Sequence, residues 1–264
     1  MLIGLLVIGA IAWLVHHRAQ SSKTAVSAPP KPINVTFPEG LRREQIASIL
    51  AAKAHLSATQ YLALTATGGE GQVLSGKKTP RSLEGFLFPA TYQIYPTTTV
   101  SNVVDQQLTA YRTYTEGVSY RFAASKNLTP YDVLTVASLI EREVTLPSER
   151  PLVAGVIYNR LRLRMMLGVD ATVQYALGYW KTNLTQSDLQ INSPYNTRRF
   201  PGLPPSPICN PGLASIQAAA HPVKVPYLYY VARNDGTNGH YFATTLAQFN
   251  LAVARSTGNL AHGG

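Results

Sequence analysis

Two glutamates lie two positions apart at the end of an apolar run, in the stretch "ASLIEREVTLPSERP" from Ala137 to Pro151. Carboxyl groups are the usual acids and bases of glycosidic bond cleavage, so the pair is a candidate for that chemistry. Successive helical residues are rotated by about 100°, which places Glu141 and Glu143 about 200° apart. We therefore do not expect both side chains to point into one site.

Glu143 is the better candidate for an acid. Ile140, Leu139 and Val136 precede it by three, four and seven residues, and this apolar patch disfavours the ionised carboxylate. The residue also lies in the last turn of the predicted helix, where the negative end of the helix dipole raises a carboxyl pKa further. A carboxylic acid that stays protonated near neutral pH can donate a proton to a leaving oxygen. The alternative is a solvated or salt-bridged group, and Glu141 is expected to be structural.

The helix that carries these glutamates has a well-marked start. Thr129, Pro130 and Asp132 have the residue types of an N-cap, a first-turn proline and an acidic third position. Pro147 disfavours helical backbone in the residue before it, so we expect the helix to end near Leu146. A second helix follows almost at once.

The remaining chain predicts helices with a few strands. From 33 to 95 the order is strand, helix, helix and strand, with the closing strand in "GFLFPATYQIY". Strand pattern also occurs in "PYLYYVAR", and the other segments of helical pattern are "SNVVDQQLTAYRTYTEGV", "ERPLVAGVIYNRLRL", "ATVQYAL" and "LASIQAAAH". Strands do not alternate with helices as in a parallel sheet, which favours an α+β fold.

The N-terminal residues 1–15 read "MLIGLLVIGAIAWLV" and carry no charge. They predict a membrane segment, followed by a polar, Ser- and Pro-containing linker at 16–32. The segment is shorter than the roughly 20 residues of a full span, so either the true start lies upstream or this is a cleaved signal peptide. We favour the uncleaved anchor, and in either case we expect the bulk of the chain outside the cytoplasm.

Composition narrows the classes of partner. The formal charge is +10, but the 23 basic residues are scattered, which argues against a nucleic-acid-binding arm. A basic surface suits a membrane face or a polyanionic polymer, and equally simple solubility. Cys209 is the only cysteine, so no internal disulfide can form, and the six histidines show no metal-binding spacing. No metal is expected.

Several long blocks of the sequence resemble the endolytic murein transglycosylase family, also called YceG-like. They are "ASLIEREV…SERPLVAGVIYNRL", "DATVQYALG", "SPYNTRRFPGLPPSPICNPGLASIQAAAHP" and "YLYYVA…H.F", and the resemblance runs from about Ile33 to Asn250. It implies an anchored single-pass membrane protein whose LysM-like subdomain (33–95) precedes a mainly helical catalytic domain (96–255) and a tail (256–264). The catalytic part is expected on the extracytoplasmic side.

The resemblance also implies an activity. Members of the family cleave within nascent peptidoglycan glycan strands, at the bond between N-acetylmuramic acid and N-acetylglucosamine, and leave 1,6-anhydro ends that terminate elongation. Their catalytic glutamate is the second acid of a Glu-x-Glu signature, which falls on Glu143. No cofactor is implied. The expected partners are peptidoglycan strands and the membrane, with peptidoglycan synthases or division proteins as further candidates and no nucleic acid.

Two departures from the pattern concern the site. Many lytic transglycosylases place a serine directly after the acid, whereas this chain has Val144, so a hydrogen bond to the acid must come from elsewhere. The block "LGVDAT" keeps Asp170 and Thr172 but lacks a proline, which leaves the rigidity of its loop open.

Further polar residues are candidates for substrate binding or support. Tyr195 and its neighbours lie in a Pro-bounded loop, a kind of rigid polar surface that binds sugars. Packing is the alternative for Tyr158, an N-cap for Asp170, turn formation for Asn210 and a structural role for His240. The complete set of supporting candidates is Glu141, Tyr158, Asn159, Asp170, Thr172, Gln174, Ser193, Tyr195, Asn196, Thr197, Arg198 and Asn210.

Two other functions compete with the lytic activity. A muramidase would hydrolyse the same bond with water and would need a second acid, for which Asp170 is the candidate. A non-catalytic peptidoglycan-binding scaffold would act through residues 33–95 alone. Pyridoxal phosphate chemistry is discounted because it needs a Schiff-base lysine in a pocket.

Overall fold

The fold was examined in a computed structural model, which describes residues 31–67, 82–181 and 183–262. Helices and short strands are combined, as the α+β prediction requires. The helices, in chain order, are α1 (Arg43–Ala54), α2 (Ala58–Thr65), α3 (Val100–Thr115), α4 (Arg121–Ser125), α5 (Pro130–Glu143), α6 (Arg150–Arg162), α7 (Asp170–Leu177), α8 (Gln186–Leu189), α9 (Leu213–Ala220) and α10 (Leu246–His262).

The strands form two small antiparallel sheets. β1 (Ile33–Thr36) pairs with β2 (Thr91–Ile94), and α1 and α2 lie between them in sequence, which gives the expected β-α-α-β order. β3 (Tyr229–Ala232) pairs with β4 (His240–Ala243) as a hairpin. From Ile33 onward the chain packs as one compact unit, and the expected division between 95 and 96 stays a prediction.

The closing strand of the first sheet is shorter than expected. The stretch "GFLFPATYQIY" predicted extended structure throughout, whereas residues 82–87 form turns. Gly85 has a φ of 92°, and the backbone N–H groups of Gly85 and Leu87 donate to Asn210 Oδ1 at 2.8 and 3.0 Å. Asn210 Nδ2 donates to Glu84 Oε1 at 2.8 Å. The buried side chain of Asn210 thus accepts the backbone hydrogen bonds that a neighbouring strand would otherwise accept from this segment.

Helix α5 is the central helix of the unit. Every residue from Val133 to Ile140 is buried, and the helix packs against α6 and α9. Each fully buried aliphatic side chain contributes about 1.5–3 kcal/mol to stability. Ser138 can be buried among them because its hydroxyl donates to Thr135 O at 2.7 Å and accepts from Ile208 N at 3.0 Å.

The start of α5 is confirmed and its end is corrected. Thr129 and Asp132 form a capping box in front of Pro130 at the first helical position. The helix ends at Glu143, earlier than the expected Leu146, because Val144 adopts extended backbone (φ −118°, ψ 118°). A single 3-10 turn at Pro147–Glu149 then leads into α6. Glu143 is therefore the last helical residue.

No helix in the described ranges is both long and apolar enough to cross a membrane. The predicted membrane segment at 1–15 lies outside those ranges, together with the linker up to residue 30. At the other end, α10 continues through residues 256–262, which the sequence suggested to be a tail.

Candidate active site

Glu143 meets a tyrosine of the β3–β4 hairpin at the end of α5. The Tyr230 hydroxyl donates a hydrogen bond of 3.0 Å to Glu143 Oε2. Among the described residues no donor is bonded to Oε1, so this oxygen is available to carry a proton. Val144 is buried and has no polar side-chain atom. Tyr230 therefore supplies the hydrogen bond that a serine after the acid was expected to give.

The surroundings of Glu143 favour its protonated form. The side chain is half-buried, and burial raises the pKa of the carboxyl above its ordinary value. The hydrogen bond from Tyr230 lowers this pKa, the negative charge of Asp170 raises it, and the electrostatic interactions with His240 and Arg198 lower it. Burial is the largest of these effects. The raised pKa expected from the apolar neighbours in sequence is therefore found in the structure.

Aromatic side chains of the hairpin hold Tyr230 in place. The His240 ring stands edge-on to the Tyr230 ring, with centroids 5.5 Å apart at 84°, and Phe242 lies 6.3 Å away. His240 Nδ1 lies 2.6 Å from Glu149 Oε2, and the His240 backbone N–H donates to Glu149 Oε1 at 2.9 Å. His240 and Glu149 are both buried.

Two neighbouring residues of α6 fix the chain in front of β3. Asn159 Nδ2 donates to Val225 O at 2.8 Å and to Tyr227 O at 3.0 Å. Arg160 Nε donates to Leu228 O at 2.6 Å. Asn159, a candidate sugar contact, thus supports the strand that carries the tyrosine.

Asp170 and Arg198 form an ion pair beside Glu143. Their side chains are 48% and 40% exposed, so the pair contributes little to stability. Asp170 does not cap α7 as one interpretation proposed: the N-cap is Val169, and Asp170 is the first helical residue. Its carboxylate binds the arginine instead of the backbone N–H groups of its own helix.

Buried threonine hydroxyls fix the loop before α7. Thr197 Oγ1 accepts from Val169 N at 3.0 Å and lies 3.0 Å from Thr172 Oγ1. Thr197 O accepts from Gly168 N at 3.0 Å. These bonds give the loop the support that a proline was expected to provide, and they position Asp170 at the start of the helix.

The polar loop from 193 to 198 is held mainly by its own side chains. Asn196 is fully buried, and its Nδ2 donates to two carbonyls in 189–191 at 3.0 and 2.9 Å. The Tyr195 hydroxyl lies 2.6 Å from Ser206 Oγ, and Ser193 Oγ accepts from Tyr195 N at 3.3 Å. These side chains support the loop and leave its arginine side chains exposed to solvent.

Three other candidates form contacts within the scaffold. Glu141 Oε2 accepts a hydrogen bond of 3.1 Å from Gly212 N, directly before α9. The two glutamates therefore have different partners, Gly212 and Tyr230, as the rotation along the helix predicted. The Tyr158 hydroxyl donates to Ala219 O at 2.9 Å. Gln174 Oε1 accepts a hydrogen bond of 2.8 Å from the backbone N–H of Lys181, four residues after the end of α7.

A cleft of about 1440 Å³ lies beside this arrangement, and Glu143 is not among its lining residues. Aromatic, proline and basic side chains line it. Among the lining residues are Tyr158, Asn159 and Arg162 of α6, Pro194 and Phe200 of the segment 193–200, and Lys224. Two residues of the segment 193–200 thus line the cleft. A third, Arg198, forms the ion pair with Asp170 beside Glu143.

The sequence did not identify Tyr230, Glu149 or Arg160, and for His240 it favoured a structural role over a catalytic one. Tyr230 lies 87 positions from Glu143, and nothing local distinguishes it from the other tyrosines of "PYLYYVAR". The strand alternation could have placed it on one face of the hairpin. In the described part of the chain no group of three His, Cys, Asp or Glu side chains could hold a metal.

Comparisons with known proteins agree on one family. The model of the YceG-like family matches residues 13–255. A Bacillus subtilis protein named endolytic murein transglycosylase is 36% identical over 83% of this chain and 63% of its own length. One of the same name from Streptococcus pneumoniae is 33% identical over 88% of this chain and 46% of its length. The chain therefore spans only part of these curated relatives.

A solved structure supports the same assignment. The crystal structure of a yceG-like protein from Listeria monocytogenes superposes with a TM-score of 0.72 at 33% identity, over 83% of this chain and 75% of that one. Together with the family match over most of the sequence, this shows that the chain belongs to the YceG-like family.

Proposed function

We propose that the chain is an endolytic peptidoglycan lytic transglycosylase with Glu143 as its acid and base. The observation that carries the proposal is the state of this carboxyl. It is half-buried with a raised pKa, bonded by Tyr230 at Oε2 and unbonded at Oε1 among the described residues. The similar proteins from Bacillus subtilis and Streptococcus pneumoniae are named endolytic murein transglycosylase, which supports murein as the substrate of such an acid.

The reaction needs no second carboxylate and no water. Protonated Glu143 donates its proton to the glycosidic oxygen as the bond from that oxygen to the muramoyl anomeric carbon breaks. The muramoyl 6-hydroxyl then attacks the same carbon, and the Glu143 carboxylate accepts the hydroxyl proton. The products are a 1,6-anhydro end and a new 4-hydroxyl end, and Glu143 is protonated again. Because nucleophile and carbon belong to one sugar, the ring closure is intramolecular.

The loop at 193–198 and the adjoining cleft are proposed to bind the glycan. Arg198 is exposed beside Glu143, and Pro194 and Phe200 line the cleft. Tyr195 and Asn196 hold the loop rigid from inside. Rigid polar loops next to apolar walls are common at sugar-binding sites.

A muramidase-type hydrolase is the second candidate, because Asp170 is a carboxylate that faces Glu143. Hydrolysis would require this group to activate water. Its ion pair with Arg198 occupies one carboxylate oxygen and argues for an orienting role. The products distinguish the two reactions, since a hydrolase leaves reducing ends.

The wider setting is also a proposal. The β-α-α-β unit at 33–95 is proposed to be a LysM-like subdomain that binds peptidoglycan, and the first 15 residues a single-pass membrane anchor. The catalytic part would then lie on the extracytoplasmic side, with synthases or division proteins as candidate partners. The alternative is a non-catalytic scaffold that binds peptidoglycan through residues 33–95 alone.

The test is digestion of purified glycan strands by the chain from Ile33 onward, followed by mass spectrometry of the new ends. Wild type should give anhydro ends, one water lighter than reducing ends. Glu143→Gln should give none, since the amide keeps the contact with Tyr230 but has no proton to donate. Glu141→Gln is the matched control, with the same chemical change on the same helix, and should remain active. Anhydro ends from Glu143→Gln would refute the assignment.

A further inference from the structure

The buried pair of Glu149 and His240 has no part in the reaction as described above. Both carboxylate oxygens of Glu149 are used by His240, one by the ring nitrogen Nδ1 at 2.6 Å and one by the backbone N–H at 2.9 Å. The side chains are 10% and 11% exposed. A carboxylate removed from water is costly unless it is paired, so a simple link between two segments would not require one.

The pair closes a ring of contacts around the candidate acid. Glu149 follows Glu143 by six residues, across the extended link and the 3-10 turn. It binds His240 on β4; His240 packs edge-on against Tyr230 on β3; and Tyr230 donates to Glu143 Oε2. Ala232 pairs with His240 in the hairpin, so the two aromatic side chains share one face. Both partners of the hydrogen bond to the acid are thereby fixed.

We propose that Glu149 and His240 are positioning residues for Glu143, which hold the Tyr230 ring so that its hydroxyl stays on Oε2. The proposal rests on the proposed function of Glu143 as the acid. His240 acts through the tyrosine, and Glu149 acts through His240. The carboxylate orients the imidazole through Nδ1, as second-layer carboxylates orient histidines in other enzyme sites.

A charge effect accompanies the positioning. A positive charge on His240 lowers the pKa of Glu143, so loss of the imidazole should raise it. Glu143 is also faced by Tyr230 on β3, by Asp170 on α7, by Arg198 and by Arg160 on α6. A histidine variant leaves the charges of Asp170, Arg198 and Arg160 in place. Displacement of the Tyr230 hydroxyl also raises the pKa of Glu143, so both effects of the variant have the same direction.

Two variants separate positioning from mere structural support. In His240→Asn the amide nitrogen can take the place of Nδ1 and donate to Glu149, while the ring against Tyr230 is lost. In Glu149→Gln the shape is kept and the negative partner of His240 is removed. Ser256→Ala is the matched control, because it removes a partly buried 2.7 Å hydrogen bond from Asn234 in the turn of the same hairpin.

The assay is the rate of formation of anhydro ends as a function of substrate concentration and pH. We expect His240→Asn to lower kcat by about 2- to 30-fold with KM unchanged, since displacing the Tyr230 hydroxyl cannot cost more than losing its hydrogen bond to Glu143. Its alkaline limb should move to higher pH, because a higher Glu143 pKa keeps the acid protonated further. Glu149→Gln should lower kcat in the same way, and Ser256→Ala should lower only the melting temperature.

A double-mutant cycle tests whether His240 acts through the tyrosine. In the Tyr230→Phe background, which lacks the hydroxyl, His240→Asn should cost much less of kcat than in wild type. Additive losses would overturn the proposal, as would a kcat of His240→Asn and Glu149→Gln equal to that of the Ser256→Ala control. If His240→Asn does not fold, Glu149→Gln with the same cycle decides. A wild type that makes no anhydro ends would instead refute the proposed function.

Discussion

Removal of the Tyr230 hydroxyl gives the sharpest test of how the acid is tuned. Tyr230→Phe deletes one oxygen, the donor of the 3.0 Å hydrogen bond to Glu143 Oε2, and keeps the ring that packs on His240. Glu143 must gain negative charge as it gives up its proton. The hydroxyl therefore stabilises the transition state more than the protonated ground state.

The size of the effect follows from hydrogen-bond energies. A hydrogen bond to a charged group contributes about 1.5–3 kcal/mol, against about 1 kcal/mol for a neutral one. The difference of about 0.5–2 kcal/mol corresponds to a loss of about 2- to 30-fold in kcat. The same difference acts on ionisation. Since the bond from Tyr230 lowers the pKa of Glu143, its loss should raise that pKa.

The measurement is kcat/KM for release of anhydro ends across the pH range, for wild type and Tyr230→Phe. The alkaline limb reports the ionisation of the acid in the free enzyme. We expect it to move to higher pH in the variant, while the maximal rate falls. A limb that stays in place or moves to lower pH would show that the tyrosine does not tune Glu143, even if the rate fell.

Three further predictions concern carboxylates around the site and in the core. Asp170→Asn removes a negative charge that raises the pKa of Glu143, so the alkaline limb should move to lower pH with anhydro products retained; a complete loss of activity would favour the hydrolase. Glu141→Ala breaks the 3.1 Å bond from Gly212 N and should lower the free energy of unfolding by about 1–3 kcal/mol in urea titrations, with kcat unchanged. Burial raises the pKa of Glu84 to about 8, so the folded state keeps a proton that the unfolded chain loses near its ordinary pKa. Wild-type stability should therefore fall by about 3–5 kcal/mol from pH about 5 to about 9, and Glu84→Gln should flatten this slope in unfolding curves at several pH values.

The sequence correctly predicted structural features that depend on residues close together in the chain. The capping box at Thr129 and Asp132 depends on residues three positions apart, and the structure confirms it. The end of α5 was misplaced because Pro147 restricts only the residue before it. The turns at 82–87 were missed because their hydrogen-bond acceptor, Asn210, lies more than 120 positions away.

The candidate site also combines features set by nearby residues with features set by distant ones. Rotation along one helix separated Glu141 from Glu143 correctly, because both lie on a continuous local geometry. The donor to the acid was beyond reach, since a tyrosine 87 positions away becomes its neighbour only through the packing of the hairpin. Most of the supporting candidates are polar residues that hold backbone inside the fold. Their polarity in the sequence did not distinguish such roles from contact with a substrate.

The chemistry of Glu143 therefore depends on tertiary packing more than on its own helix. Burial raises the pKa of Glu143 and outweighs the hydrogen bond from Tyr230 and the electrostatic interactions with His240 and Arg198, all of which lower it. Without that burial the remaining groups would favour the carboxylate, which cannot protonate a leaving oxygen. With burial alone, the carboxylate formed in the reaction would have no donor to stabilise it. A single acid that must both donate and recover a proton needs the two influences together, and the contact between the hairpin and the end of α5 supplies the donor to this half-buried carboxyl.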